Sequence, residues 1–352
     1  MKKIRKKIKV FILVLLVGMA AILIFSKINH EVRKGAEKRE LESAIQGQYV
    51  TTNEGKIFLG MMGKKEADET IVYMHGLGNS DAIVSTGPMF REFGNEYKIV
   101  VMDRPGNGLS QDTRQVQYIE SIVQTYRETL AAVGQKAPYI LLAHSISGIY
   151  ATYWAQQYPE EIKAIIYLDA DPAENYVRHK DEIEKSISAS KIENFVAETG
   201  LQRFLASKDS LIGENCNYVY DEKEERERLL LMYQNTYSKA ASSEMQNVCA
   251  NAEKVVSGPE ISKIPKLYIC VSKVSGHYYN EIYEAELQKR FAADKNKIQA
   301  YIKEQDQIAD EKTKEMLQYG NITVTDLSGP HCIYEYAPAE AADKIVNFLD
   351  NK

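Results

Sequence analysis

The sequence predicts a doubly wound, mostly parallel α/β sheet with a helical cap inserted between core strands, preceded by one N-terminal transmembrane helix. Three observations carry this. From about residue 49, short apolar runs alternate with helical patterns, as expected for parallel strands covered on both faces. Residues 172–262 interrupt the alternation with polar, helix-rich sequence, too long for a connection and too short for a domain with its own deep core. Ahead of both, Val10–Phe25 is an uninterrupted uncharged run of 16 residues. The predicted organisation is therefore a basic flank and span over 1–26, a charged tether over 27–48, a core formed by 49–171 with 263–352, and a cap over 172–262.

The first nine residues contain six basic side chains and no acid. With Ile8 and Lys9 added, the apolar run reaches 18 residues, roughly 27 Å of helix, close to the thickness of a bilayer core. A cleaved secretory signal is the alternative, but its apolar region usually spans about 7–15 residues, and no small-x-small site lies just after Phe25. The reading is a single-pass signal anchor in the cell membrane, with the basic end cytoplasmic and the body outside. Residues 1–40 hold 11 Lys and Arg against 3 acids, leaving 33 against 46 in the remainder. So acidic a body argues against nucleic acid as a partner, because phosphate binding needs a basic face. Four scattered cysteines fit neither a disulfide framework nor a zinc motif. Free thiols are expected, Cys216–Cys249 being the one pairing considered.

In chain order, Thr70–His75, Tyr97–Asp103, Tyr139–His144, Ile162–Asp169 and Lys266–Val271 read as buried strands, with Asn321–Leu327 as a further one. Helical patterns fall at about 81–94, 117–133, 147–158 and 337–350. Residues 279–318 form a second charged helical stretch, broken near Asp294–Asn296. In such a sheet, functional groups gather at the carboxyl ends of the strands.

The most informative segment is Tyr139–Tyr150, YILLAHSISGIY. A buried strand ends at Ala143-His144, Ser145 occupies the turn, and an apolar-periodic helix follows. A serine on such a turn lifts its hydroxyl above the sheet edge, provided small residues flank it; Ala143 and Ser147 do so. Taken alone, Ser145 would read as a helix N-cap. Three further motifs follow strands: Met74-His75-Gly76-Leu77-Gly78, Asp103-Arg104-Pro105-Gly106-Asn107-Gly108-Leu109-Ser110, and Asp326-Leu327-Ser328-Gly329-Pro330-His331.

Together these segments resemble the α/β-hydrolase superfamily in its lipase and esterase form, over about residues 49–171 and 262–350. The resemblance implies Ser145 as nucleophile, favoured over Ser147, because a nucleophile at 147 would put Ile149 in a position that must be small. It implies His331 as general base, and the backbone N–H groups of Leu77 and Ile146 as oxyanion donors. His75 is given no proton-transfer role, and the Asp103 turn reads as architectural. Most members place their acid after the strand that follows the cap, where this chain has Cys270-Val271-Ser272-Lys273-Val274-Ser275-Gly276-His277 and no carboxylate. Some lipases and hydrolytic dehalogenases instead use an acid at the end of the preceding strand. Asp169 matches that position, and Asp171 is the close alternative.

The implied chemistry is acyl transfer from an ester, small or lipid-like, with no metal or organic cofactor. A serine at the elbow argues against dehalogenase and epoxide-hydrolase chemistry, which needs a carboxylate nucleophile. An aminopeptidase or acyltransferase on the same fold is the runner-up, the acids Glu222, Glu224, Glu225 and Glu227 being candidates to read a substrate amine. The rival from another class is a non-catalytic binding or sensor protein on the same scaffold.

Overall fold

The computed structural model describes residues 2–64, 66–94, 96–189, 191–212, 220–235, 237–271, 281–327 and 329–351. Cys216 and His277 lie outside them. Eight strands form one sheet: β1 (Gln48–Thr52), β2 (Gly55–Gly63), β3 (Thr70–Met74), β4 (Lys98–Met102), β5 (Tyr139–His144), β6 (Ile162–Leu168), β7 (Lys266–Cys270) and β8 (Ile322–Asp326). Their order is β1-β2-β4-β3-β5-β6-β7-β8. β1 and β2 pair antiparallel, as do β2 and β4; every other pairing is parallel. The six strands read from apolar runs are all present. The antiparallel pair at the edge was not among them.

The inner parallel strands β3 to β7 are buried because their side chains alternate between two covered faces, whereas β8 at the sheet edge is half exposed. On β5, Tyr139, Leu141 and Ala143 join the core on one face, while Ile140 and Leu142 join the other. β6 does the same, with Ile165 and Tyr167 on the first face and Ile166 and Leu168 on the second. The helices Ile119–Ala132 and Ser147–Gln157 cover the first face. Pro338–Asp350 covers the second, through Ala341, Ala342, Ile345 and Leu349.

Between β6 and β7 the chain forms only helices among its described residues, from Ala173 to Val256. A second helical segment between β7 and β8 breaks where expected: Asp294 caps the helix Lys295–Leu317, its carboxylate accepting the N–H groups of Asn296 and Lys297 at 3.0 and 3.3 Å.

The N-terminal helix departs from expectation. It runs unbroken from Lys2 to Ala44, so most of the segment expected as a charged tether is helix packed on the body. Leu41 is fully buried in the core among Phe58, Leu230 and Leu231. Arg203 of the inserted segment chelates Glu37 at 2.7 and 2.6 Å, and Arg226 pairs with Glu40. By contrast, the apolar window of this helix is 0% buried.

Candidate active site

Ser145 stands between β5 and the helix Ser147–Gln157 with φ of +58°, a strained left-handed conformation for a residue with a Cβ. The turn fits because the neighbouring backbone comes close: a Cβ added at Gly76 would lie 2.9 Å from His144 Nδ1 and 3.3 Å from Ser145 Cβ. Ser147 is fully buried. Its hydroxyl donates to the His75 carbonyl at 2.5 Å and accepts from Arg104 at 3.1 Å. Ser145 is the serine that lines the open cavity.

The cavity has a volume of about 420 Å³ and is lined by Ser145, His331 and Leu77 from the core, and by Ile212, Arg228 and Met232 from the inserted segment. His331 lies on the loop after β8, with its ring half exposed to the cavity. Its Nδ1–H donates to Asp169 Oδ2 at 2.6 Å. Asp169, at the end of β6 with φ of +43°, is almost fully buried. Its other oxygen accepts the Val271 N–H at 3.1 Å. Burial alone would raise the Asp169 pKa, but the His331 hydrogen bond and charge, with Lys312 nearby, hold it below the usual carboxylate range. For His331, burial lowers the pKa while Asp169 raises it, and Asp169 wins.

Asp171, the alternative acid, is engaged elsewhere: Lys312 lies 2.6 Å from its carboxylate, and the Tyr176 hydroxyl donates to it at 3.2 Å. The structure thus brings Ser145, His331 and Asp169 to one place and leaves Asp171 apart from His331. Among the described residues no hydrogen bond joins the Ser145 hydroxyl to His331; such contacts often tighten only when substrate is bound. Leu77 lines the cavity, and Ile146 follows Ser145 at the start of the helix. Among the described residues neither backbone N–H donates to another protein group.

Two supports escaped the sequence reading. His144, read only as the residue before the serine, holds the His331 loop. Its Nε2–H donates to the His331 carbonyl at 3.0 Å, and the two rings lie 4.5 Å apart. Accepting that role fixes the proton on Nε2, and Nδ1 has no partner among the described residues. Burial first, then the His331 charge, lowers the His144 pKa to about 3, so it stays neutral. The second support is Arg104, buried beneath the Gly76–Gly78 loop. Its guanidinium donates to the carbonyls of His75 at 2.5 Å and Gly76 at 3.2 Å, and pairs with the buried Glu244 of the inserted segment at 2.7 Å. His75 completes this frame. Its Nδ1–H donates to the Gly76 carbonyl at 2.7 Å, and Nε2 accepts the Arg104 N–H at 3.2 Å. Burial, then Arg104, depresses its pKa strongly.

The Asp103 turn is architectural. Its carboxylate accepts the Leu109 N–H at 2.9 Å, and a Cβ at Gly108, where φ is +49°, would collide with that carboxylate. Of the four acids considered for an amine, three are already paired, Glu224 with Arg91, Glu225 with Lys208 and Glu227 with Lys223, while Glu222 is exposed on the same helix. On the cavity wall, Arg228 binds both Asp81 at 2.6 Å and Glu335 at 2.7 Å.

A family model described as the alpha/beta hydrolase fold matches residues 69–206, a span that contains Ser145 and Asp169. Over 355 aligned residues the chain is 25% identical to the uncharacterized protein YbdG of Bacillus subtilis, covering 99% of each. Among solved structures, the carboxylesterase CesB of Bacillus subtilis superposes with a TM-score of 0.55 at 12% identity, over 92% of this chain and 99% of that one. A membrane phospholipase A, titled a novel bacterial virulence factor, superposes with a TM-score of 0.54 at 16% identity, over 98% of each chain. At such identities the two structures speak for the fold. Strand order, matched segment and superposition together show that this chain has the α/β-hydrolase fold.

Proposed function

We propose that the chain is a membrane-anchored serine hydrolase that cleaves carboxylic esters, lipid-like esters among them, through an acyl-enzyme on Ser145. The observation that carries this reading is the hydrogen bond from His331 Nδ1–H to the buried Asp169 carboxylate, in the loop that shares one cavity with Ser145. That bond leaves His331 Nε2 unprotonated and aimed at base chemistry. His331 takes the Ser145 proton as Oγ attacks the ester carbonyl, then returns it to the leaving alcohol; water, activated the same way, releases the acid. The Leu77 and Ile146 N–H groups hold the oxyanion, each worth about 3 kcal/mol in comparable sites. Two names among the structural relatives, a carboxylesterase and a membrane phospholipase A, fit an ester substrate. The exposed apolar run and the basic residues before it fit an uncleaved single-pass anchor with the body outside the cell.

The test is a fluorophosphonate probe on the full-length chain in detergent, with the labelled peptide mapped by mass spectrometry. Labelling at Ser145 that is lost in Ser145→Ala and His331→Ala is expected. A folded chain that stays unlabelled, or is labelled elsewhere, removes the reading.

A further inference from the structure

The inserted segment displays large apolar side chains that none of the described residues covers. On the short helices Lys191–Glu198 and Gln202–Leu205, Ile192 is 72% exposed, Phe195 50%, Phe204 59% and Leu205 71%. Scattered apolar residues need no explanation, but four exposed within 14 residues on two consecutive short helices mark a candidate interaction surface.

Its position says what covers it. The two helices meet at Gly200, which sits directly on the N-terminal helix: a Cβ there would collide with His30 and approach the Ser26 carbonyl to 3.0 Å. The Lys27 ammonium donates to the Glu198 carbonyl at 3.0 Å, and Arg203 donates to His30 Nδ1 at 2.9 Å. Ser26 and His30 are buried by this contact. Ser26 is the first residue after the apolar run, and His30 is about one helical turn beyond it, a rise of about 6 Å. The patch is therefore pinned at the level where the exposed run ends. Phe25 is exposed at the end of the run, and Ile28 and Val32 continue the exposed apolar surface past it along the helix. Arg33, also exposed, stands about two turns beyond Phe25, within reach of headgroup phosphates.

We propose that Ile192, Phe195, Phe204 and Leu205 dock on the surface of the same bilayer that the N-terminal helix crosses. This rests on reading residues 10–25 as a membrane span. The patch is then an interfacial contact, its apolar side chains entering the boundary between headgroups and acyl chains. The contact also bears on substrate. Leu205 precedes by only a few residues Leu211 and Ile212, which line the cavity beside Ser145, so docking holds that wall against the lipid and favours an ester drawn from the bilayer.

The test is tryptophan quenching in the full-length chain reconstituted into phosphatidylcholine vesicles with or without brominated acyl chains. The only native tryptophan, Trp154, is fully buried and supplies a constant background. Phe195→Trp and Phe204→Trp are expected to lose most of their added emission in brominated vesicles, as does Ile22→Trp in the apolar run. Val116→Trp, exposed outside the patch, is expected to keep its emission. Quenching at Ile22 but not at 195 or 204 overturns the docking while leaving the span in place. Equal quenching at Val116 also overturns it, because contact is then not confined to the patch. Emission at 195 and 204 that ignores bromine but shifts to the blue as protein density rises assigns the patch to a second copy of the chain. Absence of quenching at Ile22 refutes the span, and the docking with it.

Discussion

Replacing Asp169 with Asn keeps the shape of the site and changes one proton. Among the described residues Asp169 accepts from the His331 ring at 2.6 Å and from the Val271 N–H at 3.1 Å. An amide satisfies Val271 only by turning its oxygen that way, which points its NH2 at His331 Nδ1. The imidazole must then accept at Nδ1 and carry its proton on Nε2, so the nitrogen needed as base becomes a donor. Loss of the carboxylate also removes the charge that stabilises the imidazolium formed during attack. In a well-studied triad the equivalent change lowers turnover by about 10⁴, close to 5.5 kcal/mol of transition-state stabilisation at 1.36 kcal/mol per tenfold. Asp169→Asn is expected to slow fluorophosphonate labelling of Ser145 by roughly 10³–10⁴ on that basis, with little change in melting temperature. Asp171→Asn, whose native carboxylate faces Lys312 and Tyr176, is expected to label at close to the native rate. Native-rate labelling of Asp169→Asn, or an equal loss in both variants, refutes the assignment of the acid.

Three further outcomes follow from the same geometry. Because Asp169 raises the His331 pKa above the ordinary histidine value near 6.5, labelling is expected to rise with pH through a midpoint above that value; in Asp169→Asn the midpoint falls, and an unmoved midpoint contradicts the pairing. His144→Ala removes the donor to the His331 carbonyl and the ring beside it. Loss of one such bond, about 1–1.5 kcal/mol, slows acylation roughly tenfold, with KM for a small ester little changed and the acid limb retained. Arg104→Ala strips a buried partner from Glu244 and two carbonyls. Breaking a buried pair this way costs about 3–5 kcal/mol, read as a fall in denaturation midpoint, and Ser145 labelling falls with it as the Gly76–Gly78 loop loosens.

How far the sequence reaches can be seen element by element. The parallel strands were legible because burial on both faces leaves continuous apolar runs, as in TIVYM and IKAIIYL. β1 and β2 were not read: in β2, which begins and ends on glycine, Gly60 splits the apolar residues into Ile57-Phe58-Leu59 and Met61-Met62, and β1 is the short pentapeptide QYVTT with one aliphatic side chain. The N-terminal helix was legible only for its apolar part. Its charged continuation looks like a tether because what orders it lies far away, Arg203 being 166 residues from Glu37.

Ser145, His331 and the Gly76–Gly78 loop were readable as candidates because each sits in a local motif whose residue types are dictated by the turn that holds it. For the acid the sequence favoured Asp169 at the end of its strand, with Asp171 two residues on as the close alternative and an acid from the inserted segments, or none, still open. Which aspartate faces His331 is decided where β6 ends: Asp169 bonds His331, 162 residues on, while Asp171 meets Lys312. His144 and Arg104 belong to the same class, since their work is done on groups 187 and 140 residues away. The sequence by itself determined the periodic burial and the turns, because those are interactions among near neighbours. Tertiary structure alone decided which polar groups are paired, because a buried charge is matched to whatever the fold brings beside it, however distant in the chain.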